Sequence, residues 1–248
     1  MSDEIELPGT IAAAWGVQER AGKGPRPGLS VQRIVEAAIA TAQDEGLAAV
    51  SMNRVAARLG TAAMSLYRYV ASKDELIALM VDEVQGTPDL PDPGNDWRSA
   101  LAHWTRATRA VYHAYPWVVD VPIGGPPVMP NAVAWFEQGL RCLAATALTE
   151  DEKVGVIMLV SGVARSNAQL EVMLEAAVRA SAPEAVGAGY GRLLARLTDA
   201  ERFPALHAAI AAGVFDDEDE EDNLAFDFGL ERILDGIAAF LRERDAHV

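Results

Sequence analysis

A chain of 248 residues, half of them hydrophobic, is long enough for a small domain joined to a larger one. No stretch approaches the ~18 to 20 consecutive apolar residues that span a bilayer, and Ile5 to Val17 lacks the basic flank of a signal peptide, so a soluble cytoplasmic protein with no membrane partner is expected. The lone Cys142 argues against a disulfide framework and reads as a small buried hydrophobe, while the net charge of -15 argues against a general attraction to polyanions.

That charge is unevenly placed. Residues 20 to 73 hold eight basic side chains against three acidic ones, a net of +5 that leaves -20 on the rest. Such asymmetry suits a basic head on an acidic body that repels DNA except through the head. Residues 1–27 read as a flexible N-terminal extension. Its bases, Arg20, Lys23 and Arg26, lie among glycine and proline, as in an arm that enters a minor groove or in a solvated tail.

The head follows over residues 28–85. Leu29 and Ser30 open a helical pattern with Val31, Ile34, Val35, Ala38, Ile39 and Ala42 on one face, and Gly46 is placed to end it. Ser51 suits the cap of a short second helix that buries Val55, Ala56 and Leu59, after which Gly60 permits a turn. A third helix runs from about Ala62 to Tyr69 with Leu66 and Val70 inward. Ser72 to Glu75 then form a capping box that opens a fourth helix bearing Leu76, Leu79, Met80 and Val84.

Residues 86–96 combine turn formers without periodicity and read as a connector. The body, 97–248, begins with Trp97, Leu101, Trp104, Thr108, Val111 and Tyr115 along one long helix. Pro116 opens a short further helix, Pro122 to Pro130 breaks the pattern, and a helix from about Asn131 to Ala147 follows. A second capping box, Thr149 to Glu152, starts a helix that reaches about Ala180. Between Ser181 and Val214, Gly187, Gly189 and Gly191 favour a loop, and Leu193, Leu194 and Leu197 a short helix. The acidic run Asp216 to Asp222 lacks the ligand spacing and glycine of an EF-hand, so it reads as a solvated loop. The last helix, about Leu224 to Arg244, carries a stripe of Phe226, Leu230, Ile233, Ile237 and Phe240, widened by Leu234 and Leu241. A stripe that broad needs cover from the chain's own core or from a partner. No alternating strand pattern occurs, and the fold class is all-α.

The second and third helices around Gly60 form the tight pair that presents one helix to a major groove ~12 Å wide. With Leu66 and Val70 inward, Ala63, Met64, Ser65, Tyr67, Arg68 and Tyr69 supply the outward surface. Ser65 and Tyr67 suit phosphate contacts, Arg68 suits guanine or phosphate, and Ala63 or Met64 suits a thymine methyl. Ser51, Arg54 and the phosphate clamp Lys73 complete the DNA-binding set. The same spacing fits two short helices inside an ordinary core, but two aromatics and a base would be an odd core surface. Two roles follow from DNA binding: a regulator that reads one operator, and an architectural protein with no sequence preference. No HExxH, paired cysteines, phosphate loop or nucleophile–base arrangement points to an enzyme.

Gly28-Leu29-Ser30, Ile34-Val35-Glu36-Ala37-Ala38, Glu45-Gly46-Leu47, Ser51-Met52, Val55 to Gly60 and Met64 to Val70, with Lys73-Asp74-Glu75-Leu76, resemble the DNA-binding domain of the TetR family. Asp96-Trp97-Arg98, Tyr115-Pro116-Trp117 and Phe228 to Gly236 resemble, more loosely, the C-terminal domain of its tetracycline-repressor-like members. The resemblance implies an N-terminal helix-turn-helix domain on a larger helical domain that binds ligand and dimerises. It also implies a repressor released by a small-molecule effector, acting as a homodimer packed through the long helix after Thr149 and the final helix. Its double-stranded operator would be pseudo-palindromic, with half-sites ~34 to 36 Å apart or a multiple of that.

Effector candidates by position are Trp104, Thr108, Tyr112, Trp117, Met129, Trp135, Met158 and Asn167, each of which also suits plain core packing. His103 and His113 fall on the polar side of their helix. Tetracycline-binding members hold magnesium through a histidine where this chain reads Val121-Pro122-Ile123-Gly124-Gly125, and a second pocket histidine falls on Gly162. Those departures argue against tetracycline and magnesium, so no metal or cofactor is expected.

Overall fold

The computed structural model describes residues 9–17, 29–92, 94, 96–180, 190–215 and 224–246. The arm Arg20 to Arg26, the acidic run Asp216 to Asp222, and Gly187 and Gly189 lie outside these residues. Every regular element among the described residues is helical.

The first helix, α1 (Gly9–Ala14), lies in the stretch expected to be a flexible extension. A helix this short does not persist alone, and tertiary contacts hold it. Ala12 is buried, and the Trp15 indole N–H donates to the Val128 carbonyl at 2.9 Å.

Serines set the start of the head's helices. In α2 (Val31–Glu45), Ser30 accepts the Arg33 amide at 3.2 Å; in α3 (Met52–Arg58), Ser51 accepts the Arg54 amide at 3.2 Å. Gly60 turns the chain at φ +65°, a region costly to residues with a Cβ. The reading helix α4 (Ala63–Leu66) is shorter than the Ala62 to Tyr69 expected. Ala62 offers no side-chain cap, and beyond Leu66 the chain tightens, with the Tyr69 amide on the Leu66 carbonyl at 2.8 Å. Next comes α5 (Lys73–Gln85), where Ser72 accepts the Glu75 amide at 3.1 Å. The Glu75 carboxylate reaches back to the amide of Ala71 rather than to that of Ser72.

The body is built from α6 (Trp97–Ala114), a 3-10 turn at Pro116–Asp120, α7 (Pro130–Cys142), α8 (Glu150–Ala180), α9 (Tyr190–Leu197), α10 (Pro204–Ala211) and α11 (Leu224–Asp245). The predicted box at Thr149 opens α8: the Thr149 amide donates to Glu152 at 2.6 Å and the Glu152 amide to Thr149 Oγ1 at 3.4 Å. Helix α7 ends at Cys142, short of the Ala147 expected, because both Leu143 and Leu148 are buried and the chain must turn between them. Helix α10 was not anticipated; it starts at Pro204, a favourable first helical position.

Two cores result. Ile34, Val50, Val55, Leu66, Val70, Leu76 and Met80 fill the head, and Trp117 and Val118 of the 3-10 turn plug into it from the body. Leu101, Trp104, Trp135, Leu143, Ile157, Val160, Leu230 and Leu234 fill the body. Helix α7 approaches closely at Gly139, where an added Cβ would lie 3.0 Å from both Ile157 Cδ1 and Trp104 Cε2. Phe226, Leu230, Leu234 and Ile237 settle the broad stripe of α11 on the chain's own core, but Phe228 and Phe240 remain exposed.

Candidate DNA interface and its coupling to the body

The reading surface rests on two anchors. Leu66 and Val70 are fully buried, which turns Met64, Tyr67 and Arg68 outward, Met64 with 75% of its surface exposed. Lys73 is exposed at the start of α5. Of the other expected contacts, Ala63 and Tyr69 pack partly against the head core, and Ser65 is half-buried. The Ser51 hydroxyl oxygen is engaged in capping α3. The Arg54 guanidinium pairs with Glu45 at 2.7 Å, and Arg58 pairs with Asp44 at 2.7 Å. The head's local acids thus neutralise two of its bases, while Tyr67, Arg68 and Lys73 are all exposed. An apolar Met64 beside Tyr67 and Arg68 can reach base edges, while Lys73 can hold a phosphate.

The residues expected to form an effector pocket are not gathered into one. Trp104 and Trp135 are core side chains with ring centroids 6.3 Å apart, and the Trp104 indole donates to the Trp135 carbonyl at 3.0 Å. Thr108 turns its hydroxyl onto the Trp104 carbonyl at 3.0 Å. Trp117 belongs to the head core, where its indole N–H has no hydrogen-bond partner among the described residues, and Tyr112 packs against the same core with its phenol pKa pushed up by burial. Asn167 accepts from Arg109 Nε at 2.7 Å; that guanidinium, stacked 4.7 Å from the Phe226 ring, also pairs with Glu171. Met158 is 61% exposed on the outer face of α8. Met129 lines a cleft of about 710 Å³ between α5 and the segment from Val121 to Met129. Large aromatics had a packing role open to them in a dense interior and took it. His113 lies 3.2 Å from Glu171, and exposed His103 lies at a smaller surface cleft. Among the described residues, no cluster of three or more His, Cys, Asp or Glu is arranged to hold a metal ion.

A polar latch joins head to body, and it was not foreseen. Helix α7 begins at Pro130 without a capping side chain of its own. Asp82 of α5 supplies the cap from outside: its Oδ1 accepts the amides of Asn131 at 3.0 Å and Ala132 at 3.1 Å. The Asn131 side chain returns a bond to the Asp82 carbonyl at 3.0 Å. One turn on, the Trp135 indole donates to the carbonyls of Gln85 at 3.1 Å and Gly86 at 2.9 Å, covering the end of α5. Arg165 of α8 holds the carbonyls of Val119 and Val121, tying the long helix to the same region. The sequence signal was an acid amid the apolar face of α5 and a helix opening on proline with no cap before it.

A helix-turn-helix head whose connecting helix is latched to a separate helical body defines a DNA-binding regulator. Residues 34–80 match the family described as bacterial regulatory proteins, tetR family, and residues 90–241 match the tetracyclin repressor-like C-terminal domain. The HTH-type transcriptional repressor DrrR1 of Streptomyces coeruleorubidus is 36% identical, over 95% of this chain and 87% of that one. Apo ActR of Streptomyces coelicolor superposes with a TM-score of 0.72 at 28% identity, covering 89% of this chain and all of the other. The complex of ActR with actinorhodin gives a TM-score of 0.71 at 26% identity, over 87% and 98% of the two chains. The chain belongs to the TetR family of transcriptional regulators, which decides for a regulator over an architectural protein. No helix among the described residues is long and apolar enough to cross a membrane.

Proposed function

We propose that this chain is a cytoplasmic, homodimeric repressor that holds a pseudo-palindromic operator until a small molecule releases it. The carrying observation is the reading surface, where Met64, Tyr67 and Arg68 stand outward on anchors Leu66 and Val70, with Lys73 beside them. Ser51, Arg54, Ala63, Ser65 and Tyr69 frame that surface and complete the DNA contact set. Arg68 reads a base edge or grips a phosphate, and Lys73 clamps the backbone.

Dimerisation has its support in α8. Val154, Met158, Leu159, Leu170, Met173 and Leu174 are exposed along it, and the exposed Gly155 and Gly162 admit close approach of a second helix. Leu224 and Phe228 add exposed apolar surface on α11. An uncovered face of this size marks an interaction surface, and a two-fold axis there would place two reading helices for successive major-groove half-sites. Support for a small-molecule effector comes from ActR, solved in complex with actinorhodin. The chain acts by binding rather than by catalysis.

A reporter tests the function. Placed behind an operator selected by this protein, its output should fall when the chain is expressed and recover when a binding small molecule is supplied. Output that is indifferent to the chain contradicts the reading.

A further inference from the structure

The cleft beside α5 has a chemistry that the DNA interface does not use. Ile77, Ala78 and Val81 form one wall, and the segment around Pro126, Val128 and Met129 forms the other. Its volume, about 710 Å³, falls in the ~300 to 1,000 Å³ range of small-molecule sites. The charged residues on its lining are both acids, Asp74 and Asp82; Gln85 is also present, and no Lys, Arg or His is among the lining residues described. An anion entering this space would meet two carboxylates and no counter-charge, whereas a cation or a hydrogen-bond donor would meet acceptors.

Asp82 is also the latch. It is only 9% exposed, and both amides of α7 that it caps are bonded through Oδ1; among the described residues Oδ2 accepts no hydrogen bond. The same helix, α5, begins a few residues beyond the reading helix, so one continuous helix joins the latched end to the DNA surface.

We propose that this cleft, and not the Trp104–Trp135 interior, is the effector site. It takes an apolar ring system with a cationic or hydrogen-bond-donating end and no anionic group, and its occupant competes with the α7 amides for Asp82, freeing α5 to tilt. The proposal rests on the reading of the chain as an effector-released repressor, and it assigns that effector a place and a charge class. A ligand shifts the equilibrium only by what it gains in the loosened state, and engaging Asp82 supplies that difference.

Two dyes that share a xanthene ring system make the test: cationic rhodamine 6G and anionic fluorescein, titrated by anisotropy against the full-length protein without DNA. Rhodamine 6G should bind at least about tenfold tighter. Gln85→Lys adds a cation to the lining while keeping the backbone carbonyl that Trp135 uses, and should narrow or reverse the preference. Ala78→Trp fills the cleft and should abolish rhodamine binding; where that variant fails to fold, Gln85→Lys carries the test. No rhodamine binding, equal affinity for both dyes, or a preference unmoved by Gln85→Lys overturns the proposal. In a gel shift, rhodamine 6G should release operator from the wild type more readily than from Ala78→Trp, and equal release from both overturns the coupling. Failure of the repressor reading looks different: the dye-free protein then binds no operator, whatever its dye preference.

Discussion

Removing the latch isolates the contact between head and body. Asp82→Ala leaves the Asn131 and Ala132 amides without their acceptor at a site where the carboxylate was 9% exposed. Losing a helix N-cap costs about 0.5 to 2 kcal/mol. Leaving a buried donor unpaired costs about 1 to 3 kcal/mol, and water admitted by the shortened side chain recovers part of that. Burial already works against the carboxylate, pushing the Asp82 pKa up despite the lowering effect of the two amides, so its removal also returns some desolvation energy. The net loss expected is about 2 kcal/mol, or about 4 to 8 °C in Tm for a chain of this size. Asp82→Asn keeps an acceptor oxygen and ranks with aspartate as a cap, so it should lose under about 1 kcal/mol. Urea unfolding followed by tryptophan fluorescence reads both variants against the wild type, with the midpoint falling in the order wild type, Asn, Ala. Equal losses in the two variants, or no loss in the alanine, would refute the external cap.

Other expectations are equally specific. Lys73→Ala should weaken binding by similar factors across operator sequences and lower the salt slope by about one, because it removes a phosphate contact; a change confined to one base position contradicts that role. Gly139→Ala forces a methyl to 3.0 Å from the Trp104 ring and the end of Ile157, and overpacking of this kind costs about 1 to 3 kcal/mol in a denaturation experiment. A neutral or stabilising result would mean that α7 is not seated on Trp104. The Thr149 amide, and after it Arg244, hold the Glu152 carboxyl below the usual carboxylate range. A carboxylate whose folded pKa is depressed stabilises above its unfolded pKa and loses that contribution as pH falls through the folded value. The wild type should therefore exceed Glu152→Gln in stability at neutral pH and converge with it in acid; parallel pH profiles contradict the linkage.

The elements that sequence revealed were those whose signals are local. Ser51, Ser72 and Thr149 cap the helices they were expected to cap, and Ser30 caps the helix it was expected to open, because a side-chain oxygen and an amide three residues on need no tertiary context. Leu66 and Val70 pointed inward as the spacing required, which left Met64, Tyr67 and Arg68 exposed as expected, whereas Ala63, Ser65 and Tyr69 are partly buried. The effector candidates were not legible, because Trp104, Trp117 and Trp135 look the same in a sequence whether they line a cavity or fill one. Position near a Gly/Pro-rich segment made Met129 a candidate but could not show that the segment faces α5. Asp82 was missed for a related reason: its partners lie 49 and 50 positions away, so the acid amid the apolar face of α5 and the uncapped helix at Pro130 could not be paired from sequence. Arg54, expected on DNA as a base in a basic head, also pairs with Glu45, a partner nine positions away that its own spacing did not suggest.

Selection from random duplex DNA with the full-length protein, followed by sequencing of the bound fraction, tests the central claim most directly. The outward Met64, Tyr67 and Arg68, presented twice by a dimer, should enrich one pseudo-palindrome with half-sites about one helical turn apart or a multiple of it. Arg68→Ala should then relax the preference at a defined position in each half-site or, if Arg68 grips a phosphate, lower affinity without altering the motif. Retention that grows with duplex length and yields no consensus would contradict the account, because it would mean the reading helix does not read.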